Sequence, residues 1–288
     1  MLTTIIIGLA VGCVYALVAM GYSLIYETTR IVNFAQGAFI MIGGMSTYWL
    51  SSIVKLPYPL AVMGGVTITA LAGLLLWVAL VLPLWRRQTA AFVVILATLV
   101  AADLAQNVVE KLLGTNPETL PAWISGRVQF SGAQIENQYL VVIGATLVLV
   151  ALVSVFLQRT AMGRCMRACA ADRGTSQLLG IAPERIGALA MVVTAAIGGL
   201  AGITFAPAQY TAYSDGITYG VFGFVAAVIG GFGSLKGALA GGVAVGVIES
   251  LTGRYISTTY EEVIALAILL LLLATRPQGI MGGAWEGV

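Results

Sequence analysis

Asp103, Gln106, Asn107 and Glu110 stand at i, i+3, i+4 and i+7 in an otherwise apolar stretch, a spacing that puts four polar side chains on one helical face. In a helix made of Ala, Val, Leu and Ile, such a face lines a water-filled passage or gate, or clamps a neighbouring helix through hydrogen bonds. Asp103 lies near the middle of the stretch, where a charge facing lipid costs several kcal/mol, so it must meet protein or water. A second polar knot, Asn33-Phe34-Ala35-Gln36-Gly37-Ala38-Phe39, separates two apolar runs. Polar, glycine-bearing backbone at membrane depth is tolerated only where protein or water covers it. Glu249 follows Lys236 far enough along its own apolar run to approach the opposite end of that segment, as a solvated terminus or as a functional carboxylate.

Most enzyme chemistry is absent. No Lys follows a Gly, so the chain carries no phosphate-binding GxxxxGK[ST] loop. There is no His, which removes HExxH zinc sites, Ser-His hydrolase triads and histidine proton relays. Gly21-Tyr22-Ser23-Leu24-Ile25 lacks the last Gly of a nucleophile elbow. Cys165 and Cys169 share a helical face, but without CxxC spacing or His partners they read as reduced thiols rather than a metal site, like Cys13 in its apolar run.

The elements that must position the polar residues are membrane spans. Of 288 residues, 59% are hydrophobic and 9% charged, whereas soluble domains carry about 25% charged residues. Runs such as Val141 to Leu157 are apolar all round, which excludes the alternating pattern of a transmembrane barrel. The apolar segments fall at 4–26, 35–53, 60–83, 91–113, 139–157, 187–207, 217–235, 237–253 and 262–275, the last three short or broken by glycine. The expected fold is an all-α integral membrane protein of roughly eight to ten spans or partial spans, a single domain over 1–288. The first run lacks a basic leader and a small-residue cleavage site and is expected to be the first span.

Loop charge sets the orientation. The 158–186 loop holds Arg159, Arg164, Arg167, Arg173 and Arg185, and Arg86 and Arg87 form a second cluster; both are expected in the cytoplasm. The 114–138 loop is expected outside. With nine crossings the N-terminus lies outside; a re-entrant segment would reverse that end. The 158–186 loop also ends in the apolar Leu178-Leu179-Gly180-Ile181, and apolar anchors rimmed by charge suit a docking element for a cytoplasmic partner. Gly233, Gly237 and Gly241 are spaced by four, as are Gly242 with Gly246 and Gly198 with Gly202, and such spacing brings membrane helices close together. The neighbouring Gly230-Gly231-Phe232-Gly233-Ser234 reads alternatively as a helix break near a pathway.

Four blocks in order carry a resemblance. They are Tyr15-Ala16-Leu17-Val18-Ala19-Met20-Gly21-Tyr22 with Asn33-Phe34-Ala35-Gln36-Gly37; Gln106-Asn107; Gly163-Arg164 through Gly180-Ile181; and Gly230-Gly231-Phe232-Gly233-Ser234 with Gly237-Ala238. Together with Arg276-Pro277-Gln278-Gly279, they make the chain resemble the shorter permease subunit of branched-chain amino acid ABC importers. The resemblance implies a second, longer permease, two cytoplasmic ATP-binding subunits and a periplasmic binding protein. ATP and Mg would be handled on the partner ATPases, with no cofactor in this chain. Membrane lipid is the remaining partner, and no nucleic acid is expected. The resemblance also implies a coupling helix at 174–182, with Arg164, Arg167, Asp172, Leu179 and Gly180 as coupling residues. Asn33, Gln36, Asp103, Gln106 and Asn107 are the expected substrate-pathway residues.

The family usually reads Asn-Phe-Ala-His-Gly, and Gln36 replaces the His here. Gln keeps a donor and an acceptor but does not titrate. Urea, short amides or aromatic acids therefore stand beside branched-chain amino acids as expected substrates. Two other classes are a self-sufficient channel or secondary transporter, using Asp103 or Glu249 as a coupling-ion site, and an assembly subunit whose partner forms the pore.

Overall fold

The computed structural model describes residues 1–124, 126–130, 133–276 and 279–281. The helices in chain order are α1 (Leu2–Thr29), α2 (Gln36–Tyr48), α3 (Tyr58–Leu76), α4 (Leu82–Arg86), α5 (Ala91–Leu113), α6 (Asn137–Arg159), α7 (Ala161–Ala171), α8 (Arg173–Leu178), α9 (Pro183–Phe205), α10 (Asp215–Gly230), α11 (Leu235–Tyr255) and α12 (Glu261–Thr275). A small antiparallel hairpin, β1 (Arg127–Phe130) with β2 (Ala133–Glu136), lies between α5 and α6, with Val128 opposite Ile135. Seven helices are long and apolar enough to cross a membrane. With the shorter α2 and α10, each of the nine apolar segments becomes a helix.

The helices sort into two layers for a physical reason. The α1, α2, α9 and α10 helices form the centre and are rich in Gly, Ala and Thr on their buried faces, which lets their backbones approach closely. The α3, α5, α6 and α12 helices ring them, and α3, α6 and α12 present Leu71, Leu75, Leu152 and Leu270 outward. In water such a surface would aggregate; in a bilayer it is the lipid face. Two continuations are π-helical, Trp49–Ile53 after α2 and Trp77–Val81 after α3.

Contacts at the two ends fix which loops share a side. At one end Arg30 donates through Nη2 to the Ala170 carbonyl, Arg86 pairs with Glu184, and the Arg173 guanidinium lies 4.8 Å over the Trp85 ring. At the other, Glu118 and Thr211 exchange backbone hydrogen bonds, the Trp123 indole donates to the Tyr58 hydroxyl, and Gln138 donates to the Thr204 carbonyl. Thr3 and Thr4 line a cavity at this second end together with Gln209, Arg254 and Glu261. The first end carries Arg30, Arg86, Arg87, the arginines of 158–186 and Lys236, so the positive-inside rule makes it cytoplasmic. The N-terminus lies at the opposite end, as nine passes require.

Two of the glycines spaced by four lie where α10 and α11 touch. A Cβ at Gly237 would strike the Gly230 carbonyl and one at Gly241 the Ala226 carbonyl, so these two seat α11 on α10. Gly233 does not belong to that stripe. It has φ 87 in the turn between the two helices, where Gly231 has φ 94, and it faces Glu27. The break read at Gly230–Ser234 is therefore real, because only glycine adopts two left-handed backbones so close together without strain. Of the terminal Arg276–Gly279 block, Pro277 and Gln278 lie outside the described residues.

Candidate functional site

The polar knot forms an unwound start to α2, folded back into the bundle. The α1 helix ends at the left-handed Arg30, and the chain turns back into the bundle before α2 begins at Gln36. Asn33 makes this turn possible. Its Oδ1 accepts from the Ala35 amide at 3.1 Å, an Asx-turn, and its Nδ2 donates to the Met191 sulfur at 3.3 Å. The Phe34 amide donates to Thr98 Oγ1 on α5 at 3.1 Å. Gln36 Nε2 donates to the Thr194 carbonyl on α9 at 3.2 Å, while Gln36 Oε1 is buried without a partner. Both Asn33 and Gln36 are 0% exposed. The polar side chains of the non-helical turn are thus buried in protein, as membrane depth demands.

Space for Gln36 comes from Gly21, where a Cβ would collide with the amide, and Gly198 stands on the other side. Gly37 then crosses α10 against Gly216 and Gly220. Tyr22 locks the crossing by donating its hydroxyl to the Gly220 carbonyl at 3.2 Å, and its ring meets Phe34 and Phe224 edge-on. Thr98, Met191 and Thr194 are the partners that sequence reasoning missed. The two threonines are ordinary residues of apolar runs, and Met191 carries no polar mark at all.

The α5 face is placed differently. Ala102, Ala105, Val109 and Leu113 pack on α2 through Met41 and Met45. Asp103 and Asn107 lie on the far flank and are exposed, with the Asn107 amide donating back to the Asp103 carbonyl at 2.8 Å. Gln106 is half-buried, and its Oε1 has no partner. The five expected pathway residues therefore do not share one place, and Gln106 lies between two separate pairs. Asn33 and Gln36 lie inside the bundle, and Asp103 and Asn107 lie on its outer surface.

At the cytoplasmic end α7 and α8 form the loop's structured core. Gly163, Met166 and Cys169 face inward, while Arg164 and Arg167 are exposed. Thr160 caps α7 by accepting from the Gly163 amide. Asp172 caps α8: Oδ1 accepts from the Gly174 amide at 2.8 Å and the Thr175 amide at 3.3 Å, and Oδ2 accepts from the Thr175 hydroxyl at 2.6 Å. These bonds hold its carboxyl below the usual carboxylate range. Gly180, with φ 82, ends the element, leaving Leu178 and Leu179 projecting at 89% and 74% exposure.

Two cavities complete the site. An outer one of about 530 Å³ reaches from Thr3 down to Tyr15 and includes Asp215, Glu249, Arg254 and Glu261. An inner one of about 1300 Å³ lies between the cytoplasmic ends of α1, α5, α6 and α7 and the Gly233–Lys236 turn. None of the five expected pathway residues lines either of them.

A membrane bundle with a short second span that starts from an unwound polar turn, a polar flank on its outer surface and a capped, Leu-tipped cytoplasmic element matches one family over most of its length. The model of the branched-chain amino acid transport system permease component covers residues 4–273. The chain belongs to that family. The permease is 31% identical to the high-affinity branched-chain amino acid transport system permease protein LivH of Salmonella typhimurium, over 96% of its own length and 93% of that protein's. It is 29% identical to the corresponding BraD of Pseudomonas aeruginosa, with 96% and 94% covered. It also shares 28% identity with the permease protein LivM of Escherichia coli over 127 residues, 43% of this chain and 29% of that one. A solved chain described as PsaBC from Streptococcus pneumoniae in complex with Fab superposes with a TM-score of 0.53 at 13% identity, covering 96% of this chain and 91% of that chain, which shows a shared fold. The protein is thus a multi-pass membrane permease component of a branched-chain amino acid ABC transport system and is not itself catalytic.

Proposed function

We propose that the translocation pathway runs along the outer flank of α5, between this permease and a second permease subunit. The observation that carries this reading is the exposure of Asp103 and Asn107 midway along a spanning helix. Lipid cannot cover them at that depth, where a carboxylate costs about 3 kcal/mol even by the most lenient scale. Water in a passage, or polar groups of a partner, satisfy them. The likeness to LivM supports a related chain as that partner. Gln106 joins the same lining from the edge of the α2 contact.

Asn33 and Gln36 act one layer behind. They fix the start of α2, against which α5 leans, so a shift of the unwound turn moves the α5 flank. ATP and Mg are handled by two cytoplasmic ATP-binding subunits, and a periplasmic binding protein delivers substrate at the outer end. The α7–α8 element docks on an ATPase through Leu178 and Leu179, with Arg164, Arg167 and the Asp172 cap holding its shape and Gly180 allowing the turn away. Movement there reaches the unwound turn by a short route, because Arg30 joins the end of α1 to the Ala170 carbonyl of α7. Docked and undocked states must make different ATPase contacts for such coupling to work.

The test is ATP-driven uptake in liposomes holding the whole complex. Asp103→Leu is expected to cut uptake at least about tenfold, one RT ln 10 step of 1.4 kcal/mol, while assembly and ATP hydrolysis persist. Wild-type uptake by Asp103→Leu would remove the α5 flank from the pathway.

A further inference from the structure

The inner cavity has the shape and charge of an amphiphile. Its membrane-side wall is mostly apolar, with Ala91 and Ile95 from the first turns of α5 facing Leu157 near the end of α6, and the two polar α6 residues there, Ser154 and Gln158, bond to each other. Its rim at the cytoplasmic end holds Arg30 beyond α1, Arg167 on α7 and Lys236 at the start of α11. All three cations are exposed, and none forms an ion pair among the described residues. Glu27 is the one carboxylate in the lining, so three positive charges face a single negative one. Close by, Arg173 adds to the field: it stacks on Trp85, and its Nη2 is buried with no hydrogen-bond partner.

The α5 helix packs chiefly on α2, and α6 on α1, α7 and α9, so the two walls of the cavity belong to helices with different supports. At about 1300 Å³ the space exceeds the roughly 300–1000 Å³ of an ordinary small-molecule pocket. A zwitterionic amino acid carries no net charge to match the rim. A basic pocket between helices at the cytoplasmic side suits the headgroup of an anionic lipid.

We propose that this cavity holds one anionic phospholipid of the inner leaflet, its headgroup among Arg30, Arg167 and Lys236 and an acyl chain between α5 and α6. The lipid spans the gap beside the cytoplasmic end of α5 and steadies that helix against α6 and α7.

The experiment is native mass spectrometry of the intact transporter complex, equilibrated with equal amounts of phosphatidylglycerol and phosphatidylcholine. The wild type is expected to retain phosphatidylglycerol preferentially. Each cation near an anionic headgroup contributes about 1 kcal/mol, so Arg30→Gln with Lys236→Gln lowers retention about thirtyfold. Ile95→Trp, which keeps all three cations and fills the acyl half, abolishes retention by itself. Equal retention of the two lipids by the wild type would overturn the proposal, as would undiminished retention by both variants. Displacement by millimolar inorganic phosphate would reduce the site to one for free anions. Displacement by leucine would make the cavity the inner mouth of the substrate path.

Discussion

Gln36 shows how much one residue depends on neighbours far away in sequence. Its amide fits only because Gly21 has no Cβ, and its hydrogen bond goes to a carbonyl on α9. Gly21→Ala drives a methyl into that amide, an overpacking change that costs about 1–3 kcal/mol. A lower melting temperature is expected, and Gln36→Ala in the same chain should relieve much of it, because residues in contact are not additive. Independent, additive losses would mean that the two do not share the space. The sequence marked Asn33 and Gln36 as unusual because amides are rare in such runs. It did not mark Thr98, Met191 and Thr194, whose partnership exists only after α2, α5 and α9 pack together.

At the scale of elements the α7–α8 unit behaves as a capped, self-contained piece. Asp172 has a lowered folded-state value, so its cap is present above the ordinary carboxylate range and is lost only as the pH falls through that lowered value. The cap is therefore intact across about pH 5 to 8. Asp172→Ala is expected to speed hydrogen exchange at the Gly174 and Thr175 amides, and Asp172→Asn to restore much of the protection. Exchange unchanged in the Ala variant would show that the α8 N-terminus is held by something else. Charge reversal at Asp172 or Arg167 is further expected to separate ATP hydrolysis from uptake while leaving membrane insertion intact, and full uptake by both variants would argue against the coupling role. The element was legible in sequence only as an arginine-rich loop with an apolar end, and its caps at Thr160 and Asp172 emerged with the structure. The spacing of Gly233, Gly237 and Gly241 left packing and a helix break both open, because spacing alone does not distinguish a helix from the turn that precedes it.

For the whole molecule, the arginine-rich end and the exposed Leu178–Leu179 tip are the proposed meeting place with soluble partners. Leu179→Asp places a charge in the proposed contact and is expected to abolish co-purification of ATP-binding subunits, while the second permease still comes down with the chain. Retained ATPases would move the docking surface elsewhere. Sidedness is checked by thiol labelling in intact cells: Thr3→Cys is expected to react with an impermeant reagent from outside, and Leu179→Cys only after permeabilisation. Labelling of Leu179→Cys from outside would invert the topology.

Composition and loop charge by themselves determined a helical membrane bundle, its apolar segments and its cytoplasmic end, because the cost of polar backbone in hydrocarbon leaves few alternatives. The order of four motif blocks was enough to carry the family. Tertiary structure alone decided that the two sets of polar residues face opposite ways, Asn33 and Gln36 into the bundle and Asp103 and Asn107 out of it. A helical repeat groups residues on one face but does not say what that face meets. That depends on which helices pack together, and here α2 claims the Ala102–Leu113 face of α5 and leaves the polar flank to a partner or to water.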